Sequence, residues 1–108
     1  MTPTTDLAPL RGQIFRVDLG HGPQPWVVVS NNARNRNLET SIAARITTTG
    51  RHARLPTVVA LGPADPLVGF VVVDDLVQFY RDELTKPLGA LAPMTMAQIS
   101  EALRIALP

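Results

Sequence analysis

The sequence predicts a mainly β chain, built as a mostly antiparallel, barrel-like sheet followed by one C-terminal helix. Short apolar stretches of strand length recur between residues 13 and 91, separated by Gly- and Pro-rich turns. No stretch between them has the length of a crossover helix, and only residues 93–107 place apolar side chains at helical spacing. At 108 residues, we expect the whole chain to form a single domain, with the barrel over residues 11–91.

The first half of the chain predicts two strands and a polar connection. Residues 1–9 are rich in Thr and Pro and are expected to be a loose tail. Residues 13–19 alternate apolar and polar side chains, which predicts a strand, and residues 20–25 form a Gly/Pro loop. Residues 26–30 are apolar on both faces, which predicts a central strand. Residues 30–37 contain four Asn and two Arg, which favours a polar connection.

The second half predicts the remaining strands and the helix. Residues 41–48 form the third strand, and residues 55–61 are expected to return as its hairpin partner. Residues 69–78 form a long strand, residues 80–84 one helical turn and residues 87–91 a short last strand. Thr95 and Gln98 have the spacing of a capping box, and apolar residues follow at helical period, which predicts a helix over residues 93–107.

The composition excludes several classes of protein. The absence of Cys rules out disulfides and thiolate metal sites. No apolar run approaches the ~20 residues that a membrane helix needs, and the N-terminus lacks the basic start and apolar stretch of an export signal. Asp74 and Asp75 are neighbours on a predicted strand and therefore point to opposite faces, which argues against a metal pair. We expect a cytoplasmic protein without a metal, a cofactor or membrane contact.

The charges are distributed unevenly along the chain. Residues 1–54 carry a net charge of +4 and residues 55–108 a net charge of −3, and nine of the ten basic residues are Arg. Arg suits bidentate phosphate contacts and stacking on bases. One interpretation is a positive face formed by the N-terminal half; the alternative is a set of scattered, solvated arginines.

Several segments carry a resemblance to a known family when they are taken in order. The run Arg11-Gly12-Gln13-Ile14 and the strand from Pro25 to Asn31 open the series, and Ile46-Thr47-Thr48 follows. The later segments are Leu55-Pro56-Thr57, Val72-Val73-Asp74-Asp75, Leu88-Gly89-Ala90-Leu91 and Glu101-Ala102-Leu103. Together they resemble the MazF/PemK-like toxins of bacterial toxin–antitoxin pairs, which are small ribonucleases, over residues 11–107.

The resemblance implies an SH3-like barrel that pairs as a homodimer, with RNA in a groove near the dimer interface. It also implies metal-independent, sequence-selective cleavage of single-stranded messenger, transfer or ribosomal RNA, growth inhibition, and control by a cognate antitoxin protein. Family members use a Thr in the Ile-Thr element, which is Thr47 here, and an Arg immediately before the Pro of the second strand. This chain departs from the family at the second position, where Gln24 stands.

Cleavage by attack of the ribose 2′-OH needs a base, an acid for the leaving oxygen, and a cation or strong donors on the phosphorane oxygens. Arg45 lies two residues before Thr47, so both side chains face the same way on one strand. We expect Arg45 to bind the phosphate and the hydroxyl of Thr47 to orient the reacting groups. Gln24 can donate hydrogen bonds. His21, beside Gln24, is the candidate acid or base, because histidine changes its charge near neutral pH.

Each of these assignments has a plainer alternative. Arg45 projecting to solvent and His21 being merely exposed are the alternatives for the catalytic set. Trp26 is expected in the core or the dimer interface rather than stacked on a base. The polar segment either contacts RNA or only shapes a turn, and for Arg16 we favour a surface salt bridge with Asp18. The candidate RNA contacts are Arg16, Asn31, Asn32, Arg34, Asn35, Arg36 and Thr48.

Three other functions compete with the ribonuclease. The first is a gyrase poison of the same fold. Those proteins resemble one another in a C-terminal Trp-Gly-Ile, whereas this chain ends Ile-Ala-Leu-Pro. A catalytically weakened member would bind RNA or an antitoxin without cutting, and Gln24 favours this alternative. A purely structural SH3-like module is the third.

Overall fold

The structure, a computed structural model, describes residues 7–107. It contains six strands and two α-helices, with a 3-10 turn over Arg81–Glu83. Of the expected tail, residues 1–6 lie outside the described residues, and Pro9 is buried. The elements are β1 (Gln13–Asp18), β2 (Pro23–Val28), α1 (Asn32–Asn37), β3 (Thr40–Thr47), β4 (Val58–Ala60), β5 (Phe70–Tyr80), β6 (Pro87–Ala90) and α2 (Pro93–Ala106).

The strands form one antiparallel sheet in the order β4-β5-β3-β2-β1-β6, curled into a half-barrel with α2 packed on one side. This confirms the mainly β fold with a C-terminal helix. It also confirms that the strand predicted over residues 26–30 is central, because β2 lies between β1 and β3. Its bounds differ from the prediction, since β2 begins at Pro23, within the predicted loop, and ends at Val28. None of the helices within residues 7–107 is long and apolar enough to cross a bilayer.

Alternate residues of the central strands build two separate apolar clusters. We call the side covered by α2 the helix face; its cluster is Ile14, Val27, Val29, Ala44, Ile46, Val59, Val71, Val73, Leu91, Met96, Ile99 and Ala102. We call the opposite side the cavity face; its smaller cluster is Phe15, Val17, Trp26, Val28, Ala43, Phe79 and Leu84. Because side chains alternate along a strand, β1, β2, β3 and β5 each supply residues to both clusters.

The polar connection predicted over residues 30–37 is wrong in its conformation, because a short helix, α1, occupies most of it. Asn31 caps this helix by accepting the Arg34 N–H at 2.8 Å. Asn35 is fully buried and bonds the hydroxyl and the carbonyl of Ser30. At the other end, Arg81 donates to the backbone carbonyls of Asn35, Arg36 and the C-cap residue Leu38. Polar contacts stabilise α1, so apolar periodicity could not reveal it.

The hairpin between the third strand and residues 55–61 is also wrong. The strand in that region, β4, has only three residues and pairs with β5 rather than β3. β3 already has β2 on one edge and β5 on the other, so the free edge of β5 is the position left for β4.

β5 contains a bulge that proves important for the site. Ala44 of β3 pairs with Leu76, but the next residue, Arg45, pairs with Val72. Val73, Asp74 and Asp75 are therefore extra residues on β5 without opposite partners in β3. The bulge breaks the alternation of side chains along β5, so the two aspartates do not follow the simple two-face rule.

Helix α2 confirms the predicted C-terminal helix over residues 93–107, ending at Ala106, but not the predicted cap. Ala92 is the N-cap and has no side-chain oxygen, while Thr95 lies inside the first turn. Asp65, from the loop before β5, supplies the missing acceptor to the Ala92 N–H at 2.7 Å and to the Thr95 hydroxyl at 2.6 Å. The N-terminus of α2 is thus capped from another segment of the chain.

Candidate active site

A cavity of about 290 Å³ opens on the cavity face, beside the loop between β1 and β2. Three of the four predicted catalytic residues, His21, Gln24 and Arg45, line this cavity. Its remaining lining residues are Val17, Leu19, Gly22 and Trp26. The cavity therefore combines an apolar wall with an imidazole, an amide and a guanidinium.

The strand register explains why these side chains meet. Trp26 on β2 lies opposite Arg45 on β3, and Gln24 on β2 lies opposite Val17 on β1. Directly opposed residues of antiparallel strands project to the same face, and residues two apart on one strand do so as well. Gln24, Trp26 and Arg45 therefore share the cavity face across two neighbouring strands.

The loop that carries His21 is shaped by Asp18. The Asp18 carboxylate accepts the N–H groups of Gly20 at 2.7 Å and Gly22 at 3.1 Å. Both glycines have positive φ angles, 105° and 91°, a conformation that other residues rarely adopt. The surface salt bridge expected between Arg16 and Asp18 is not formed, because Asp18 instead binds its own loop.

Arg45 is held by an ion pair with Asp75 that the sequence did not predict. Its Nε and Nη2 atoms lie 2.8 Å and 2.7 Å from one oxygen, Oδ2, of Asp75. Both side chains remain partly exposed, at 35% and 49% of their surface. Among residues 7–107, nothing hydrogen-bonds Nη1, so the guanidinium edge opposite Asp75 is unoccupied. The acidic pair Asp74-Asp75 within a mostly apolar strand was a signal that a basic partner exists, but it does not identify Arg45.

Thr47 has the expected strand position but lies outside the cavity lining. It is half-buried, two residues beyond Arg45 on β3 and opposite Phe70. Its Oγ1 accepts the Thr49 N–H at 3.1 Å, which also fixes the end of the strand. Thr48 follows at this end and is exposed.

Most of the predicted RNA contacts in the polar segment serve α1 instead. Asn32 accepts the Arg11 N–H at 2.7 Å, and Arg34 donates to the carbonyl and hydroxyl of Thr40 and to Gln78. Asn35 is fully buried, which leaves it no surface for a nucleotide. Arg16 and Arg36 are exposed, and no ion pair involving either is formed within residues 7–107.

A larger groove of about 1110 Å³ lies elsewhere, between residues 7–10 and the end of β5. None of the predicted site residues lines it, and its acidic side chains include Glu39 and Asp82. The arginine in its lining, Arg81, donates to backbone carbonyls at the end of α1, so we assign the candidate site to the smaller cavity.

The two neighbouring aspartates of the bulge serve different partners. Asp75 binds Arg45, whereas Asp74 accepts the Thr57 hydroxyl at 2.6 Å. Within residues 7–107, no group of three or more His, Asp or Glu side chains is arranged to hold a metal ion. The cavity lining itself includes a guanidinium and an amide, which can bind an anion, and an imidazole, which can carry a proton.

Comparison with known proteins places this geometry in a family. Residues 10–107 match the model of the PemK-like, MazF-like toxins of type II toxin–antitoxin systems. The chain is 52% identical over 100 residues to endoribonuclease MazF1 of Mycobacterium bovis and to endoribonuclease MazF4 of Mycobacterium tuberculosis, and the match covers 93% of both partners in each case.

Solved structures agree with the sequence relatives. An endoribonuclease in complex with its cognate antitoxin, from a mycobacterial species, superposes with a TM-score of 0.87 at 51% identity, covering 94% of this chain and 98% of that one. A MazE–MazF structure from Deinococcus radiodurans has a TM-score of 0.77 at 20% identity, covering 94% of this chain and 96% of that one, and shows a likeness in fold alone. The predicted family resemblance is confirmed.

Proposed function

The chain belongs to the PemK-like, MazF-like toxins of type II toxin–antitoxin systems, and we propose that it is a toxin that cleaves single-stranded RNA in the cytoplasm. Two observations support this proposal. The mycobacterial relatives that share half of its residues over nearly their whole length are named endoribonucleases. The cavity that holds Arg45, Gln24 and His21 carries the proposal, since it has the donors and the proton carrier that the reaction needs.

The proposed reaction is transfer of the phosphoryl group to the neighbouring 2′-OH. The 2′-hydroxyl loses its proton to a base as its oxygen attacks phosphorus, the bond to the 5′-oxygen breaks, and an acid protonates the leaving oxygen. The products are a 2′,3′-cyclic phosphate and a free 5′-hydroxyl. The unoccupied edge of Arg45 binds the phosphorane oxygens, where negative charge develops, and Gln24 adds neutral donors. His21 carries one of the two proton transfers.

In this proposal Arg45 supplies the positive charge that, in the family, comes from an arginine at the position of Gln24. Gln24 brings hydrogen bonds without charge, and the loss of a single such donor usually reduces a rate by about 10²–10³. Arg45 approaches the same cavity from the neighbouring strand, so the charge is present but comes from another element. Thr47 is proposed as an orienting hydroxyl; it lies two residues beyond Arg45 on the same face of β3, outside the cavity lining.

The proposal is tested by incubating purified protein with total RNA in EDTA and mapping the new ends. We expect discrete 5′-hydroxyl ends at a recurring short sequence, and no cleavage of a synthetic oligonucleotide that carries a 2′-O-methyl group at the mapped position. Intact RNA at high protein concentration would refute the ribonuclease. It would favour the alternative that Gln24 suggests, a family member that binds without cutting.

We further propose two protein partners. One is a cognate antitoxin, as in the mycobacterial structure whose description names such a complex; its acidic and apolar segment would cover the arginines near the cavity. The other is a second copy of this chain, a homodimer that the family resemblance implies. Light scattering of the toxin alone and with its antitoxin measures both.

A further inference from the structure

We propose that Asp75 is a positioning residue, which acts through Arg45 by aiming its guanidinium at the phosphate of bound RNA. The proposal rests on the proposed function, because it names a further residue of the same site. Asp75 itself does not line the cavity, so it is not expected to touch the RNA. Its contribution is the direction in which Arg45 points.

The geometry of the ion pair supports this role. Asp75 binds Nε and Nη2 of Arg45 through one oxygen, at 2.8 Å and 2.7 Å. A guanidinium is planar and rigid, so holding one edge fixes the direction of the opposite edge. The opposite edge consists of Nη1 and the second N–H of Nη2, which is the fork that binds two phosphate oxygens. Asp75 therefore orients Arg45 without occupying the donors that the phosphate needs.

The position of Asp75 is fixed in turn by the bulge of β5. Thr57, which is buried, accepts the Val73 N–H on its carbonyl at 2.9 Å and donates its hydroxyl to Asp74 at 2.6 Å. These two bonds hold both ends of the Val73–Asp74 segment just before Asp75. In a regular ladder Asp75 would lie directly opposite Arg45. The bulge instead places Val72 opposite Arg45 and leaves Asp75 among the unpaired residues of β5.

Stability alone does not explain the ion pair. Both side chains are partly exposed, and exposed pairs of this kind contribute little to folding. The carboxylate also weakens the attraction of the site for RNA, because it adds a negative charge beside Arg45. An orienting carboxylate is expected to raise kcat while leaving KM unchanged or slightly higher. A merely structural contact would not separate the two constants in this way.

The test compares cleavage by Asp75→Asn with the unaltered protein, using an oligonucleotide that spans a mapped cleavage site. We expect kcat to fall at least tenfold while KM does not rise. In the Arg45→Ala background, Asp75→Asn should change kcat less than twofold, because Asp75 acts only through Arg45. Glu101→Gln is the matched control, since it removes one carboxylate from an Arg104 ion pair on α2, away from the cavity, and should leave kcat unchanged.

An unchanged or raised kcat in Asp75→Asn would overturn the proposal, as would an equal loss in the Arg45→Ala background. Thr57→Val and Thr57→Ser provide a second pair of variants: the valine should lower kcat and the serine, which retains the hydroxyl, should restore it.

NMR of the Arg45 Nε–H separates this proposal from the proposed function, because it requires no cleavage. We expect a slowly exchanging Nε–H resonance in the unaltered protein that disappears in Asp75→Asn. If the unaltered protein does not cut RNA, the ribonuclease fails, and the proposal for Asp75 is then decided by this resonance alone. A resonance with the same exchange rate in both proteins would refute the positioning role.

Discussion

The two faces of the sheet use the same strands for different purposes. On the helix face, α2 closes over a continuous apolar cluster, and even the charged Arg11 reaches across to bond Ser100 of α2 and the carbonyl of Val29. On the cavity face the apolar cluster is smaller, and two of its members, Val17 and Trp26, also line the cavity. The difference shows that, along β1, β2 and β3, successive residues alternate between the core under α2 and the face that carries the cavity.

Trp26 belongs both to the apolar cluster of the cavity face and to the wall of the cavity. Its ring packs edge-to-face on Phe79, with centroids 5.2 Å apart and planes at 73°, and it also forms part of the cavity wall. Its buried indole N–H finds no hydrogen-bond partner among the described residues. Through this aromatic pair, the wall of the cavity packs directly against the apolar cluster of the cavity face.

The largest expected effect is on the helix face. Ile99 is fully buried at the centre of α2, so Ile99→Ala should lower the free energy of unfolding by about 2–5 kcal/mol. The matched control is Ile105→Ala on the same helix, where 53% of the residue is exposed and a loss of about 0.5 kcal/mol or less is expected. Urea denaturation measures both. Equal losses would contradict the assignment of α2 as the lid of the main core.

The next effect is on the cavity face and concerns activity rather than stability. Arg45→Ala should reduce RNA cleavage by about 10²–10³, because it removes the charge that stabilises the phosphorane. The midpoint of denaturation should hardly change, since Arg45 is partly exposed. Arg104→Ala, which breaks the ion pair on α2, serves as the control and should retain full activity. Normal cleavage by Arg45→Ala would refute the site while leaving the family intact.

A smaller effect is expected at Thr47, on the cavity face of β3 but outside the cavity lining. Thr47→Ala should lower cleavage at least tenfold, equivalent to about 1.4 kcal/mol in the barrier, if the hydroxyl orients the reacting groups. The neighbouring Thr49→Ala retains the N–H that Thr47 accepts and should cleave normally. Single-turnover rates on one oligonucleotide distinguish the two. Equal rates in the two variants would remove Thr47 from the site.

The smallest effect concerns the cap of α2. Asp65→Asn should destabilise the protein by about 1 kcal/mol near neutral pH, because the carboxylate binds Ala92, Thr95 and Gly62. Burial acts to raise the pKa of Asp65, but the hydrogen bonds from Thr95, Ala92 and Gly62 outweigh it and lower the pKa below the ordinary 3.8.

The lowered pKa determines the pH dependence. The stability that Asp65 contributes is complete above the unfolded value of 3.8 and is lost as the pH falls through the lower folded value. The difference in unfolding free energy between Asp65→Asn and the unaltered protein should therefore shrink below about pH 4. The exposed Asp82→Asn is the control. A difference that stays constant down to pH 2 would show that the charge of Asp65 does not matter.

The sequence predicts the regular elements well because their signal is local. Alternation identifies β1 and helical spacing identifies α2, and strand periodicity places Arg45 and Thr47 on one face of β3. Gln24 was assigned to a loop, so its place opposite β1 on β2 could not be anticipated. Helix α1 was not predictable in this way, since it depends on Asn35, buried against Ser30, and on Arg81 from a distant turn. Arg34 and Arg81 bind carbonyl groups, which net charge cannot reveal.

The Asp75–Arg45 pair escaped prediction for a different reason. Alternation assigns neighbouring residues to opposite faces, but three extra residues in β5 change the register just where the two aspartates occur. Nothing in the local pattern announces a bulge of this kind, because it is fixed by Thr57 on another segment. The partner of Arg45 became visible only with the strand pairing.

The central claim is that RNA binds on the cavity face with its phosphate at Arg45, and the single Trp of the chain reports on this directly. An oligonucleotide that spans a mapped cleavage site, with a 2′-O-methyl group to prevent cutting, is titrated while its anisotropy and the Trp26 emission are recorded. We predict that both signals saturate at the same concentration and that Arg45→Ala shifts both to weaker binding. Binding seen by anisotropy with unchanged Trp26 emission, and with equal affinity in Arg45→Ala, would contradict it.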